Sequence, residues 1–122
     1  MRTHNLNIRA EYLGMILDGR KTIEVRVAYA RFADMAAGDT VRFNGQHEYR
    51  VARVARYPSF RALVEAEDPR RMYPADPDNL LAVLREIYPS DKESLGVLAI
   101  HLRPGDESAP PVPADGVGGE AG

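Results

Sequence analysis

The sequence contains no cysteine and no tryptophan, and only three histidines, His4, His47 and His101. Without cysteine there is no disulfide framework, no thiolate zinc site, no iron–sulfur ligation and no thiol nucleophile, which suits a reducing, cytoplasmic setting. The histidines lie far apart and none pairs with another at the i, i+4 spacing metals exploit, so neither a metal nor a cofactor is expected. No phosphate-cradling glycine loop and no G-x-S-x-G elbow occurs, and no serine has a nearby histidine in sequence. P-loop and serine-esterase chemistry therefore have no support. No stretch approaches the roughly 18 apolar residues of a membrane span. Residues 1–10 carry Arg2, His4, Asn5, Asn7 and Arg9 where a signal peptide would be apolar. Neither membrane insertion nor export is expected. Lysine is scarce too: fourteen of the sixteen bases are arginine.

What is present suits one domain: 122 residues, 44% hydrophobic and 28% charged, enough for a modest core. The formal charge of −2 is misleading. Residues 104–122 are rich in proline and glycine, hold Asp106, Glu107, Asp115 and Glu120 and no base, and read as a disordered tail. The remaining domain, 1–103, carries sixteen bases and fourteen acids, net +2. Its excess lies in residues 1–56, with ten bases and six acids, so an anion would prefer the N-terminal half. Arginine forks onto phosphate and carboxylate and stacks on flat rings. Genomic drift toward arginine gives the same bias, and composition leaves both explanations open.

Hydrophobic periodicity sets the order of elements. Leu6 and Ile8 alternate with polar residues as in a short strand. Tyr12, Leu13, Ile16 and Leu17 recur at helical spacing over 10–18, with Gly19 as a left-handed stop. Residues 21–27 return to period two, with Ile23, Val25 and Val27 on one face and Thr22, Glu24 and Arg26 on the other. After an irregular segment, Gly38-Asp39 launches a strand at 40–43, and Asn44-Gly45 turns it into a long, bent return strand over 48–57, in which Val54 falls on the face opposite Tyr49 and Val51, through either partial cover of both faces or a bulge near Ala52. Ser59 caps a short helix with Phe60, Leu63 and Val64 inward, fading into Glu67-Asp68-Pro69. Asp76-Pro77 opens another, with Leu80, Leu81, Leu84 and Ile87 buried. Residues 95–102 form a continuous apolar, well-buried strand. The sum is an α+β, mainly β chain: a small mixed or antiparallel barrel of about five strands with flanking α-helices.

Chemistry concentrates at Arg20-Lys21-Thr22-x-Glu24-x-Arg26. Glu24 and Arg26 share one strand face, and Lys21 at the strand's start can swing to the same place. On an open flank these ions are an ordinary solvated edge. At the mouth of a barrel each must be paired, because an isolated buried charge costs several kcal/mol. His101, inside the apolar strand, reads as a hydrogen-bonded core or edge residue.

The string Gly19-Arg20-Lys21-Thr22-Ile23-Glu24-Val25-Arg26 resembles the G-[KR]-K-T-[IV]-E-x-R signature of the ASCH (activating signal cointegrator homology) domain, a PUA-like family. Further blocks follow in order: Gly38-Asp39-Thr40-Val41-Arg42-Phe43, Tyr57-Pro58-Ser59-Phe60, Ile87-Tyr88-Pro89 and Gly96-Val97-Leu98-Ala99-Ile100. The resemblance implies a PUA-like β-barrel whose basic cleft binds RNA or a nucleotide-like ligand. Lys21, Glu24 and Arg26 become its cleft residues, flanked by Arg20 and Thr22, with Arg56, Tyr57 and Ser59 offering a flat surface or hydroxyls; Ser59 also reads as a helix cap. Some ASCH proteins are ribonucleases, and a small bacterial type deacetylates acetylated cytidine with a Lys, a Thr and a Glu. Lys21 matches that lysine, but Glu24 stands where the threonine is expected and Tyr73 falls near the place of the glutamate. A hydrolase acting through Lys21 and Glu24 is one alternative to a pure binder, and a protein-interaction module is another.

Overall fold

Asn44 and Gly45 take positive φ of 53° and 74°, the two left-handed positions of a tight hairpin. They join β3 (Thr40–Phe43) to β4 (His47–Tyr57). The computed structural model describes the backbone of residues 1–107 and the side chains of 1–103. Before the hairpin come β1 (Thr3–Leu6), α1 (Ala10–Leu17) and β2 (Ile23–Val27). After it come α2 (Phe60–Ala66), α3 (Pro69–Met72), α4 (Leu80–Ile87) and β5 (Val97–Glu107). The described residues thus form a five-stranded sheet in the order β1-β3-β4-β5-β2. Only the β1–β3 pair is parallel. The sheet curls into a half-barrel with helices around it, a small, mainly β, α+β fold. β1 and β2 are its two ends, and α1 connects them.

Both faces of the sheet are covered. Leu6, Val41, Phe43, Tyr49, Val51, Leu98, Ile100 and Leu102 pack with Ile16 of α1. Ile23, Val25, Val27, Val97 and Ala99 pack with Phe60 and Leu63 of α2, Met72 of α3, and Leu80 and Leu84 of α4. β5 lies between these two cores, which is why its sequence is apolar on both faces. The register of β4 on β5 shifts on either side of Val51, so of the two explanations for the changed face of Val54 the bulge is present. It re-aims the strand so that Val54 packs with the first core.

Several local expectations need correction. The Asp76-Pro77 start is a 3₁₀ turn, Pro77–Asn79, in which Asp76 makes no capping bond; the α-helix begins at Leu80. Its stripe is narrower than predicted, for Ile87 at the helix end is 41% exposed. Asp68 does not end a fading helix. Its carboxylate accepts the Arg70 N–H and starts α3. Residues 90–95 form a 3₁₀ turn, and the last strand starts at Val97. That strand continues to Glu107, four residues into the segment read as a tail; residues 108–122 of that expected tail lie outside the described residues.

Candidate functional site

Gly19, at φ +89°, ends α1 in a conformation that L side chains avoid. The Lys21 N–H then bonds back to Met15 O at 2.9 Å, turning the lysine inward. Because Ile23, Val25 and Val27 are drawn into the helical core, Glu24 and Arg26 project to the opposite, α1 side of β2. There they are sheltered: Lys21 is 5% and Glu24 6% exposed. The Lys21 ammonium donates to Ile23 O at 2.8 Å and Met72 O at 2.7 Å, and it meets Glu24 Oε1 at 3.1 Å. These partners use all three of its protons. Arg26 Nε and Nη2 both lie 2.7 Å from Glu24 Oε2, and Nη2 also donates to Asn7 O at 2.8 Å. Arg26 therefore ties β2 to the chain leaving β1, across the two free edges of the half-barrel.

Burial pulls the Lys21 ammonium below its ordinary pKa, since its one carboxylate is shared with a second cation, Arg26. For Glu24 burial acts upward, but Lys21 and Arg26 together outweigh it and hold the carboxyl below its usual range. The trio keeps one net positive charge.

Above this trio lies a cavity of about 320 Å³. Its walls are Ile8 and Tyr12 on one side, Met72, Tyr73, Leu80, Val83, Leu84, Ile87 and Tyr88 on the other, with Asn7 and Arg9 at the exposed lip. Tyr12 and Tyr73 meet edge to face, with centroids 6.0 Å apart. Tyr88 stacks on Phe60 at 5.5 Å and donates its hydroxyl to Val25 O at 3.3 Å; burial pushes its phenol up to about 12. The Arg9 guanidinium makes no hydrogen bond or ion pair among the described residues, while its carbonyl accepts the Tyr12 and Leu13 N–H groups. A cavity walled by aromatic and aliphatic side chains over one net charge suits a heterocycle bearing a negative group.

Of the residues expected from sequence, Lys21, Glu24 and Arg26 line this cavity together. The others lie elsewhere. Arg20 is exposed and pairs with Asp18 at 2.9 Å. Thr22 is outside the cavity wall, its backbone bonded to Arg71 O and Leu102 N. Arg56 donates to Leu95 O at 2.7 Å. Tyr57 gives its hydroxyl to Glu67 Oε2 at 2.5 Å, beside His101 Nε2 at 3.0 Å from Glu67 Oε1. Ser59 caps α2 by accepting the Ala62 N–H at 3.0 Å. Tyr12, Tyr88 and Arg9 were not expected in the cleft. Tyr12 had a signal, as an aromatic on the α1 stripe, but Arg9 had none. Tyr73 was legible only through its place near the family's glutamate.

A curled mixed sheet, with a sheltered cleft where β2 leaves α1, defines a PUA-like module. The chain belongs to the ASCH family, whose domain model matches residues 6–105. It is similar to the crystal structure of the hypothetical protein PH0355, at 27% identity and TM-score 0.77, covering 85% of this chain and 99% of that one. It is also similar to the solution NMR structure of protein PF0455 from Pyrococcus furiosus, at 28% identity and TM-score 0.70, covering 85% and 98%. No curated protein matches the chain. Among the described residues no helix is long and apolar enough to cross a membrane.

Proposed function

We propose that this ASCH module binds RNA or a nucleotide-like ligand, seating one base in the cavity and phosphate at its lip. The observation that carries this reading is the closed Lys21–Glu24–Arg26 cluster at the floor of an aromatic-walled cavity of about 320 Å³. Tyr12 and Tyr73 offer rings for stacking, and Arg9 with the free Nη1 of Arg26 offers donors to phosphate. Lys21 holds the floor instead of touching phosphate, because its protons are already committed. Two or three phosphate contacts imply a log–log salt slope of about −1.4 to −2 for single-stranded RNA. Fluorescence anisotropy with a labelled oligonucleotide tests this. Arg9→Ala should weaken binding and flatten the slope by about 0.7, whereas affinity indifferent to salt and to Arg9 overturns the phosphate contact.

A second reading, hydrolysis of RNA or of a modified nucleoside such as acetylated cytidine, draws on the depressed Lys21 pKa beside Glu24. Turnover of either substrate, abolished by Lys21→Met in a folded protein, supports it; absence of turnover by the parent chain removes it.

A further inference from the structure

We propose that the cavity selects a phosphate monoester, so that its ligand is a nucleoside monophosphate or the phosphorylated end of a strand, not an internal stretch of RNA. This rests on the nucleotide reading above and deepens it by naming the phosphate. The cavity lining holds three cations, Arg9, Lys21 and Arg26, against one carboxylate, Glu24. Two positive charges are left over. A phosphate monoester carries about −1.5 to −2 at pH 7 and matches that surplus. A diester carries a single charge, which leaves one cation unmatched in a sheltered site.

Donors for the phosphate oxygens gather in one part of the cavity. Glu24 and Asn7 O take Nε and Nη2 of Arg26 and leave Nη1. The Arg9 guanidinium and the Tyr12 hydroxyl make no hydrogen bond among the described residues. Burial, Glu11, Tyr73 and Glu24 raise the Tyr12 phenol while Arg9 lowers it, so this one hydroxyl lies within electrostatic reach of both Arg9 and the floor cluster. The surroundings of the lip also weigh against a continuing strand. Glu11 on α1, and Asp76, Asp78 and Glu86 beside the lining residues Tyr73, Leu80 and Ile87, are exposed and form no ion pair among the described residues. Further phosphates running over either wall approach these carboxylates and are repelled. A terminal phosphate stops at the lip and avoids them.

The test is a titration of the full chain at pH 7.5 and fixed salt, with the Tyr12 and Tyr73 ring signals followed by NMR. The probes are the 5′- and 3′-monophosphates of uridine, cytidine, guanosine and adenosine, the methyl esters of those phosphates, and trinucleotides of each base with and without a 5′-phosphate. A monoester that binds should do so about tenfold more tightly than its methyl ester, the factor one charge-assisted hydrogen bond is worth. Arg9→Ala, at an exposed position, should remove most of that difference, while Arg9→Lys, which keeps the charge, should retain it. Phosphorylated trinucleotides that bind as tightly as mononucleotides identify a strand end as the source of the monoester; mononucleotides binding alone identify a free nucleotide. If the esters bind as tightly as the monoesters, or trinucleotides bind equally without their phosphate, the monoester preference is wrong and the nucleotide reading stands. If no probe moves a cavity signal, both fall.

Discussion

Glu24 is the residue on which the cleft depends, because it is the anion between two cations. Glu24→Gln leaves Lys21 and Arg26 sheltered without a counter-charge, and the expected loss is about 3–5 kcal/mol in urea unfolding. Lys21→Met should cost less, since Arg26 still neutralises the carboxylate. A loss below about 1 kcal/mol for Glu24→Gln would show that the cluster is solvated. Gly96 is fixed by two separate constraints. Its φ of +92° and ψ of 162° belong to a region only glycine occupies easily, and an added Cβ would lie 2.9 Å from Arg56 Nε. Gly96→Ala is therefore expected to destabilise by about 1–3 kcal/mol, measured as a lower denaturation midpoint.

At the scale of elements, Ser59 separates local chemistry from the site. Its hydroxyl is committed to the first turn of α2, away from the cavity lining. Ser59→Ala should cost about 1 kcal/mol of stability and leave oligonucleotide affinity unchanged; a tenfold loss of affinity would return Ser59 to the site. The short helices show where local signals mislead. Asp76-Pro77 has the composition of a helix start, yet a 3₁₀ turn forms there because Leu80 is the first residue that reaches the core. β2 shows the reverse case, in which alternation placed Glu24 and Arg26 on one face correctly but said nothing of what covers that face.

For the whole molecule, acid should be the sensitive direction. Burial among neighbours that include Arg53 lowers the His101 pKa despite its bond to Glu67. The unfolded chain then takes up that proton first as pH falls from about 6.5, and stability declines through the window down to the lower folded value. Glu24 adds to the loss below its ordinary value of 4.5, since its folded carboxyl is held ionised to lower pH. Unfolding followed from pH 7.5 to 4 should show a continuous decrease in midpoint, and His101→Gln should flatten the part above pH 5. A profile unchanged by that substitution would assign the decline to carboxylates alone.

The sequence by itself determined about five strands, the Asn44-Gly45 hairpin, the Ser59 cap and the grouping of Lys21, Glu24 and Arg26, because each follows from spacing or from the chemistry of adjacent residues. It could not determine which aromatic and basic residues meet them. Arg9 and Tyr12 come from the start of α1, and Tyr73 and Tyr88 from the ends of α3 and α4, segments that share no local pattern. Only the curl of the sheet, with β2 left as a free edge against those helices, encloses the cleft. That enclosure also turns a strand face that reads as a solvated edge into a buried cluster in which Glu24 sits between two cations, since it removes the water that would otherwise screen each charge.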